Sequence, residues 1–252
     1  MKVRILPSSP DVGDLQHLVT FLVDGHLAID AGCLGFCGTP ADQAAVTSVF
    51  LTHGHADHVC SLPMFVMNVF DQAGRGVTVH APEDVIVGLR RDLFNGRTWP
   101  DFAAIHHDGR PLLTFETVAP RVPIAVDGLT VTSVPVNHPV PTVAYLVDDG
   151  RAAVLFVTDT APTREVWELG SRSERLKAAF VDAAFPDDKS EVAAVSGHLT
   201  PSLVAAEVKQ LPEAVARFAV HLKPVFRSRI VEQLAETAPD VAVGQLGVDY
   251  DF

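Results

Sequence analysis

The segment THGHADH, residues 52–58, gathers four side chains that bind metals: His53, His55, Asp57 and His58. Imidazole and carboxylate together suit Zn, Mn or Fe, and the absence of thiolates from the segment disfavours a purely structural zinc site. In an extended chain, His53 and His55 face the same side, whereas Asp57 and His58 begin the next helix and reach a neighbouring point. No packing requirement explains this grouping, so the segment predicts a metal site.

Ionisable residues also stand at the ends of several apolar strands predicted from the sequence. A single histidine at a strand end is usually a surface or core residue, but here the pattern recurs behind a strong metal motif. Side chains at strand ends point into a common rim and can converge although they are far apart in the chain. The strands end at Asp30, His53, His138, Asp159 and His221.

These residues can be divided between two metal ions. We expect His53, His55 and His138 to hold one ion. Asp57, His58 and His221 would hold the second, and Asp159 would bridge both. Asp30 is the expected partner that orients a ligand histidine through a hydrogen bond. Two metals about 3.5–4 Å apart can clamp a phosphoester and convert a bridging water to hydroxide near neutral pH.

The elements that must position these residues alternate between strands and helices. Short β-branched and aromatic runs predict strands over 18–24, 26–30, 47–52 and 77–81, and helices are predicted over 59–72 and 82–96. A second strand-rich stretch covers 112–158, and helices alternate with strands from 162 onward. This order predicts an α/β fold, a four-layer αββα sandwich, as a single domain over residues 1–252.

Composition limits the classes of partner. The chain has 252 residues, 48% of them hydrophobic, and a formal charge of −12, which argues against a broad nucleic-acid surface. We see no signal-peptide core and no apolar run near the roughly 18 residues that span a bilayer. Three cysteines provide no disulfide framework. We therefore expect a cytoplasmic protein with no extended nucleic acid and no membrane as partner, and a homodimer is left open.

The motif T-H-x-H-x-D-H, followed by an isolated His, Asp and His at strand ends, resembles the metallo-β-lactamase superfamily. Further blocks from residue 93 onward resemble the class II 3′,5′-cyclic-nucleotide phosphodiesterases. The fold and ligand set more distantly resemble the RNase Z group. The resemblance implies the metallo-β-lactamase fold and two divalent metal ions, Zn²⁺ first and Mn²⁺ or Fe as alternatives. These blocks are LFNGRTWPDF (93–102), FVTDTAPT (156–163), LKAAFVDAAFPDD (176–188), SGHLTPSLVAAEV (196–208) and VHLKP (220–224).

The resemblance also implies catalytic residues. His198 matches a histidine that assists proton transfer, and Asp182 matches the acidic residue that pairs with it, although the family has Glu there. Asp57 is counted among the catalytic residues as well as among the ligands. The alternative for His198 is a residue that merely precedes a helix cap, with Thr200 as N-cap and Pro201 as first helical residue.

Substrate contacts are predicted at three positions. Trp99 and Phe102 offer aromatic faces on which a nucleobase can stack, or they only pack a loop onto the sandwich. Lys223 can contact a phosphate or merely cover the start of a helix. The segment NHPVPT, residues 137–142, departs from the family's surroundings of the third-motif histidine, and Ala56 replaces a leucine.

The resulting expectation is a binuclear hydrolase that converts cyclic AMP or cyclic GMP, a small-molecule substrate, to the 5′-monophosphate by attack of a metal-bound hydroxide. Two rivals stay open. One keeps the enzyme and changes the substrate, to an RNase Z-like nuclease or a hydrolase of another phosphoester or a lactone. The other is a metal-bound nucleotide sensor without turnover, which the complete set of seven ligands disfavours.

Overall fold

A computed structural model describes residues 1–8 and 13–252. Two seven-stranded sheets and a short hairpin contain all the strands of these residues. The strands are β1 (Lys2–Ile5), β2 (Phe21–Val23), β3 (Leu27–Ile29), β4 (Ser48–Phe50), β5 (Val77–Ala81), β6 (His106–His107), β7 (Arg110–Pro111), β8 (Leu113–Thr117), β9 (Ile124–Val126), β10 (Leu129–Pro135), β11 (Val143–Asp148), β12 (Ala153–Val157), β13 (Leu176–Asp182), β14 (Ala216–Val220), β15 (Val241–Val243) and β16 (Asp249–Asp251).

The helices are short, and within the described residues none has the length and apolarity needed to cross a bilayer. They are α1 (Pro40–Gln43), α2 (Ala56–Val59), α3 (Leu62–Ala73), α4 (Glu83–Gly88), α5 (Glu165–Arg172), α6 (Ser190–Ser196), α7 (Pro201–Glu207) and α8 (Arg227–Thr237). Short 3₁₀ segments and one π-helical turn, Leu89–Leu93, complete the helical structure of this part of the chain.

Each sheet is antiparallel on one side and parallel on the other. The first has the order β16-β1-β2-β3-β4-β5-β8 and is parallel from β3 to β8. The second has the order β15-β14-β13-β12-β11-β10-β9 and is parallel from β12 to β15. The carboxyl ends of parallel strands lie at one edge, which is where open α/β sheets usually bind ligands.

Three apolar clusters define four layers. The central cluster joins the inner faces of the two sheets, for example Phe21 of β2 against Phe156 and Phe180 of β12 and β13. One outer cluster packs α3 and α4 on the first sheet, and the other packs α5, α7 and α8 on the second. The predicted four-layer αββα sandwich is confirmed.

The helix predicted over 82–96 is present from Glu83 to Leu93, but its second half is not α-helical. Helix α4 ends at Gly88, and the chain continues as the π-helical turn, which Gly96 follows with a φ of +73°. Glycine is a poor helix former, so Gly88 weakens the α-helical ladder where Leu89 must turn into the core. The turn is short, but it shapes a cavity described below.

Candidate metal centre

Six ionisable residues lie at or just beyond the carboxyl ends of strands along a single edge of the two sheets. Strands β3, β4, β12, β13 and β14 supply parallel ends, and β10 runs in the same direction as β12 because β11 is antiparallel to both. The residues are Asp30, His53, His138, Asp159, Asp182 and His221. Helix α2 adds Asp57 and His58 directly behind His53.

The first group of candidate ligands is His53, His55, His138 and Asp159, whose ligand atoms all lie within 4.8 Å of one another. Asp159 Oδ2 lies 3.6 Å from His53 Nε2 and 3.8 Å from His138 Nε2. His138 Nε2 is in turn 3.3 Å from His55 Nδ1. The structure therefore brings together the three histidines that the sequence assigns to one ion.

The second group is Asp57, His58 and His221, which also lie within 4.8 Å of one another. His221 Nε2 is 3.2 Å from Asp57 Oδ2, and His58 Nε2 is 4.0 Å from the same oxygen. Asp159 Oδ1 faces this group, at 3.2 Å from His58 Nε2 and 3.3 Å from His221 Nδ1. Asp159 thus presents one oxygen to each group, which is the arrangement a bridging ligand requires.

Hydrogen bonds behind the cluster fix the histidine rings. His58 Nδ1 donates to Asp30 Oδ2 at 2.7 Å, and Asp30 also accepts the N–H of Thr52 at 2.8 Å and its hydroxyl at 2.9 Å. Because that hydroxyl donates to Asp30, it accepts from His53 Nδ1, which lies 3.0 Å away. His138 Nδ1 donates to the Gly197 carbonyl at 2.9 Å. In each case the Nε2 lone pair is left facing the cluster.

The buried atoms that lack hydrogen-bond partners fit a metal. Four buried atoms have no hydrogen-bond partner among the described residues: His53 Nε2, His58 Nε2, His221 Nδ1 and Asp159 Oδ1. A buried polar atom without a partner is costly, and four of them converging on one point are explained if cations complete the site. Imidazoles and carboxylates are suitable donors for Zn, Mn or Fe.

The charges inside the cluster favour the deprotonated carboxylates that ligation needs. Burial opposes ionisation of Asp159, but the charges of His221 and His58 outweigh it and hold its pKa well below the ordinary value. Burial disfavours the charged form of His221, yet Asp159, Asp182 and Asp57 raise its pKa to about 9. Burial and the charge of His58 lower the pKa of His53 well below its usual range.

Asp182 and His198 form a hydrogen-bonded pair beside the two groups. His198 Nδ1 donates to Asp182 Oδ2 at 2.9 Å, although Asp is one methylene shorter than the family's Glu. The same oxygen accepts the backbone N–H groups of Thr160 and Leu199 at 3.3 Å and 3.2 Å. His198 Nε2 faces the cluster, 4.0 Å from Asp159 Oδ2, a distance at which His198 could also serve as a ligand.

The three predicted substrate contacts fall in different places. Lys223 is half-buried at the cluster, its Nζ 3.2 Å from His221 Nε2 and 3.7 Å from Asp57 Oδ2. Phe102 is only 2% exposed and packs on Phe94. Trp99 is partly buried against the same core. Both aromatic residues fit the loop-packing alternative.

Sequence reasoning missed several residues that support the cluster. Gln16 accepts the N–H of His221 at 3.0 Å, where His221 has a φ of +61°. Tyr145 donates to the carbonyl of Leu51 at 2.7 Å and so joins the second sheet to the strand that leads to His53. Nothing in the sequence near these residues signals the contacts, because each joins distant segments.

Two cavities flank the segment 137–142. The first, about 550 Å³, opens beside His55 and Ala56, and the second, about 560 Å³, reaches His138. Val140 and Pro141 line both cavities. The segment that departs from the family pattern therefore stands between two spaces that each reach a candidate metal ligand.

Comparisons with known proteins place these observations in context. A family model described as "Beta-lactamase superfamily domain" matches residues 29–222. A ribonuclease Z from Synechococcus sp. (strain CC9311) is 31% identical over 114 residues, which cover 45% of this chain and 35% of that protein. The matched stretch thus spans about a third of that relative's length.

Solved structures share the architecture over the full chain. Unliganded yeast PDE1 superposes with a TM-score of 0.78 at 16% identity, over 98% of each chain. Zn²⁺-bound PqqB from Methylobacterium extorquens superposes with a TM-score of 0.68 at 17% identity, over 100% of each chain. At these sequence identities the similarity shows a shared fold and no more.

Proposed function

The chain belongs to the beta-lactamase superfamily, and from that premise we propose that it is a binuclear metal-dependent phosphodiesterase that hydrolyses 3′,5′-cyclic nucleotides to 5′-monophosphates. The observation that carries the proposal is the position of Asp159 between two groups of candidate ligands, with the Asp182–His198 pair beside them. The sequence blocks that resemble class II cyclic-nucleotide phosphodiesterases are the basis for proposing a cyclic nucleotide as the substrate.

The residues that would hold the ions are divided as the distances suggest. His53, His55 and His138 would bind the first ion, Asp57, His58 and His221 would bind the second, and Asp159 would contact both. When bound, divalent cations would supply Lewis-acid polarisation of the phosphoryl oxygens and a lowered pKa of bound water. Asp30, Thr52 and the Gly197 carbonyl hold the ligand rings in orientation.

The Asp182–His198 pair would manage the proton of the leaving group. Hydrolysis adds the elements of water across the P–O3′ bond, with hydroxyl going to phosphorus and a proton to the departing 3′-oxygen. His198 carries that proton on Nε2, which faces the cluster, while Asp182 accepts from Nδ1 and stabilises the charged ring. Lys223, beside Asp57, would offset negative charge on the phosphoryl group.

A time course with purified protein of counted metal content tests the proposal. We expect conversion of cyclic AMP or cyclic GMP to the 5′-monophosphate, abolished by a chelator and restored by Zn²⁺ or Mn²⁺. Protein that carries two metals but converts neither nucleotide would remove the cyclic nucleotide as substrate and leave the site intact. Other phosphoesters would then be screened.

An RNase Z-like nuclease is the second candidate, because the ribonuclease Z relative is 31% identical over 114 residues. Acidic residues at the cavities beside the site weigh against a long polyanion: Asp92 lines the first, Glu83 lines the second, and Asp84 lines both. Salt-dependent binding of tRNA, followed by cleavage, would favour the nuclease over the cyclic-nucleotide enzyme.

A further inference from the structure

The cavity beside His55 and Ala56, which we name the side cavity, has mainly apolar walls. Val59 lies at the end of α2, Val85 and Leu89 come from α4 and the π-helical turn, and Val140 and Pro141 come from the segment after His138. Its volume of about 550 Å³ lies within the roughly 300–1,000 Å³ typical of small-molecule sites. The side cavity thus adjoins the metal centre and is large enough for a nucleoside.

These walls are a poor site for a phosphate, because an anion buried without partners loses its hydration and Arg91, a cation in the lining, is already paired with Asp92. In the proposed function, on which this inference rests, the phosphoryl group sits at the ligand cluster. The side cavity is therefore suited to the uncharged remainder of the substrate. π-helical turns of the kind that forms one wall often occur at functional sites.

Two aspartates lie at the edge of the side cavity, and within the described residues only Asp92 forms an ion pair. Asp92 binds Arg91 through two contacts, Nε to Oδ1 at 2.8 Å and Nη2 to Oδ2 at 2.6 Å. Asp84, in the first turn of α4, is exposed, and within residues 1–8 and 13–252 it makes no side-chain hydrogen bond or ion pair. The two carboxylate oxygens of Asp84 are thus available as hydrogen-bond acceptors at the cavity edge.

We infer that the side cavity binds the base of the nucleotide and that Asp84 selects guanine over adenine. Guanine carries two adjacent donors, N1–H and the N2 amino group, which match the two oxygens of a carboxylate. Adenine presents its N6 amino group next to N1, an acceptor that a carboxylate repels. Charge-assisted, two-point hydrogen bonds are the stronger kind, so Asp84 distinguishes the two bases by their donor pattern.

Binding of the products tests this inference without relying on turnover. Calorimetry would measure 5′-GMP and 5′-AMP against metal-loaded protein, Asp84→Asn and Glu83→Gln. We expect GMP to bind about tenfold or more tightly than AMP, as one good two-point contact allows, and Asp84→Asn to remove most of that preference. Glu83→Gln makes the same charge change one residue away, outside the side cavity, where Glu83 accepts the Thr117 hydroxyl at 2.6 Å, and should preserve the preference.

Cys60, half-buried in the wall of the side cavity, reports where the base binds. GMP should slow alkylation of Cys60 by iodoacetamide, with the modified residue located by mass spectrometry. Equal affinity for GMP and AMP, no protection of Cys60, or equal losses in Asp84→Asn and Glu83→Gln would each overturn the inference.

The two proposals fail in different ways. Hydrolysis of cyclic AMP and cyclic GMP with equal efficiency, unchanged in Asp84→Asn, would retain the proposed function and overturn the selectivity. Selective binding of GMP that protects Cys60, with no hydrolysis of either cyclic nucleotide, would support the side cavity as a guanine site and overturn the proposed function.

Discussion

At the scale of single residues, His58 and His198 each make one contact toward the cluster and one away from it. The Nδ1–H of His58 donates to Asp30, and its Nε2 faces the cluster. In the same way, the Nδ1–H of His198 donates to Asp182, and its Nε2 faces the cluster. One ring nitrogen is thus held by a protein acceptor, and the other is free to bind a metal or carry a proton. The two histidines can be tested separately.

Replacement of His198 by alanine should separate proton transfer from ligation. We expect activity on the cyclic nucleotide to fall by about 10²–10⁴-fold, the range for loss of a general acid, with metal content unchanged. Steady-state kinetics and elemental analysis of the same preparation provide the two readings. His106→Ala, which changes an exposed histidine outside the site, is the matched control. Loss of one metal in His198→Ala would instead make His198 a ligand.

Replacement of Asp30 by asparagine should weaken the metal site without removing a ligand. Asp30 is fully buried and accepts from His58 and Thr52, so the amide loses the negative charge that supports the His58 ring. We expect the affinity for the second ion to fall by about 10–100-fold. Competition with a fluorescent chelator would measure it. An unchanged affinity would show that Asp30 serves only the backbone of Thr52.

At the scale of elements, the end of α6 orients one candidate ligand, His138. Gly197 ends α6 with a φ of +72°, and a Cβ built on it would lie 2.9 Å from His138 Nδ1 and 2.5 Å from Pro139 Cδ. Its carbonyl is the acceptor that orients the His138 ring. Only glycine satisfies both the backbone conformation and this close approach, so α6 and the 137–142 segment depend on one position.

Replacement of Gly197 by alanine should therefore weaken binding of the first ion as well as lower the stability of the fold. Gly74→Ala is the control, because Gly74 also has a positive φ, +61°, but a Cβ there meets nothing within 4 Å. We expect Gly74→Ala to lower the free energy of unfolding by about 1–2 kcal/mol with metal content intact. Gly197→Ala should cost more stability and also lower metal content. Equal effects in urea unfolding, with full metal content in both, would contradict the prediction.

At the scale of the whole molecule, the cluster joins the two sheets. Asp30, His53 and His58 belong to the first sheet and its helices, whereas Asp159 and His221 follow strands of the second. Ions bound between them would crosslink the two halves of the sandwich and bind the folded state alone. The single domain over residues 1–252 and the open homodimer stay predictions.

Removal of the metals should therefore lower thermal stability. Ligand at 100 times its Kd stabilises the folded state by about 2.7 kcal/mol, and each kcal/mol shifts Tm by about 2–4 °C in a chain of this size. We expect dialysis against a chelator to lower Tm by about 5–10 °C and added Zn²⁺ to restore it. A Tm that is indifferent to chelator in protein shown to contain metal would contradict a crosslinking role.

The sequence by itself determined the ligand motif and the four-layer fold. His53, His55, Asp57 and His58 are neighbours in the chain, so their grouping is visible without coordinates. The remaining ligands follow apolar strands, and the period of hydrophobic residues predicts strands and the edge at which they end. Strands β1 and β16 at the two ends of the chain were not predicted, because each is short and pairs with the other across the whole sequence.

Only the tertiary structure decided the rest of the site. The burial of Phe102, the approach of Gly197 to His138 and the position of Asp84 at a cavity that Val140 also lines each depend on contacts between segments far apart in the chain. Residue type and local period carry no information about such contacts. The candidate metal ligands can therefore be predicted from local sequence, whereas the shape and polarity of the cavities beside them arise from long-range packing.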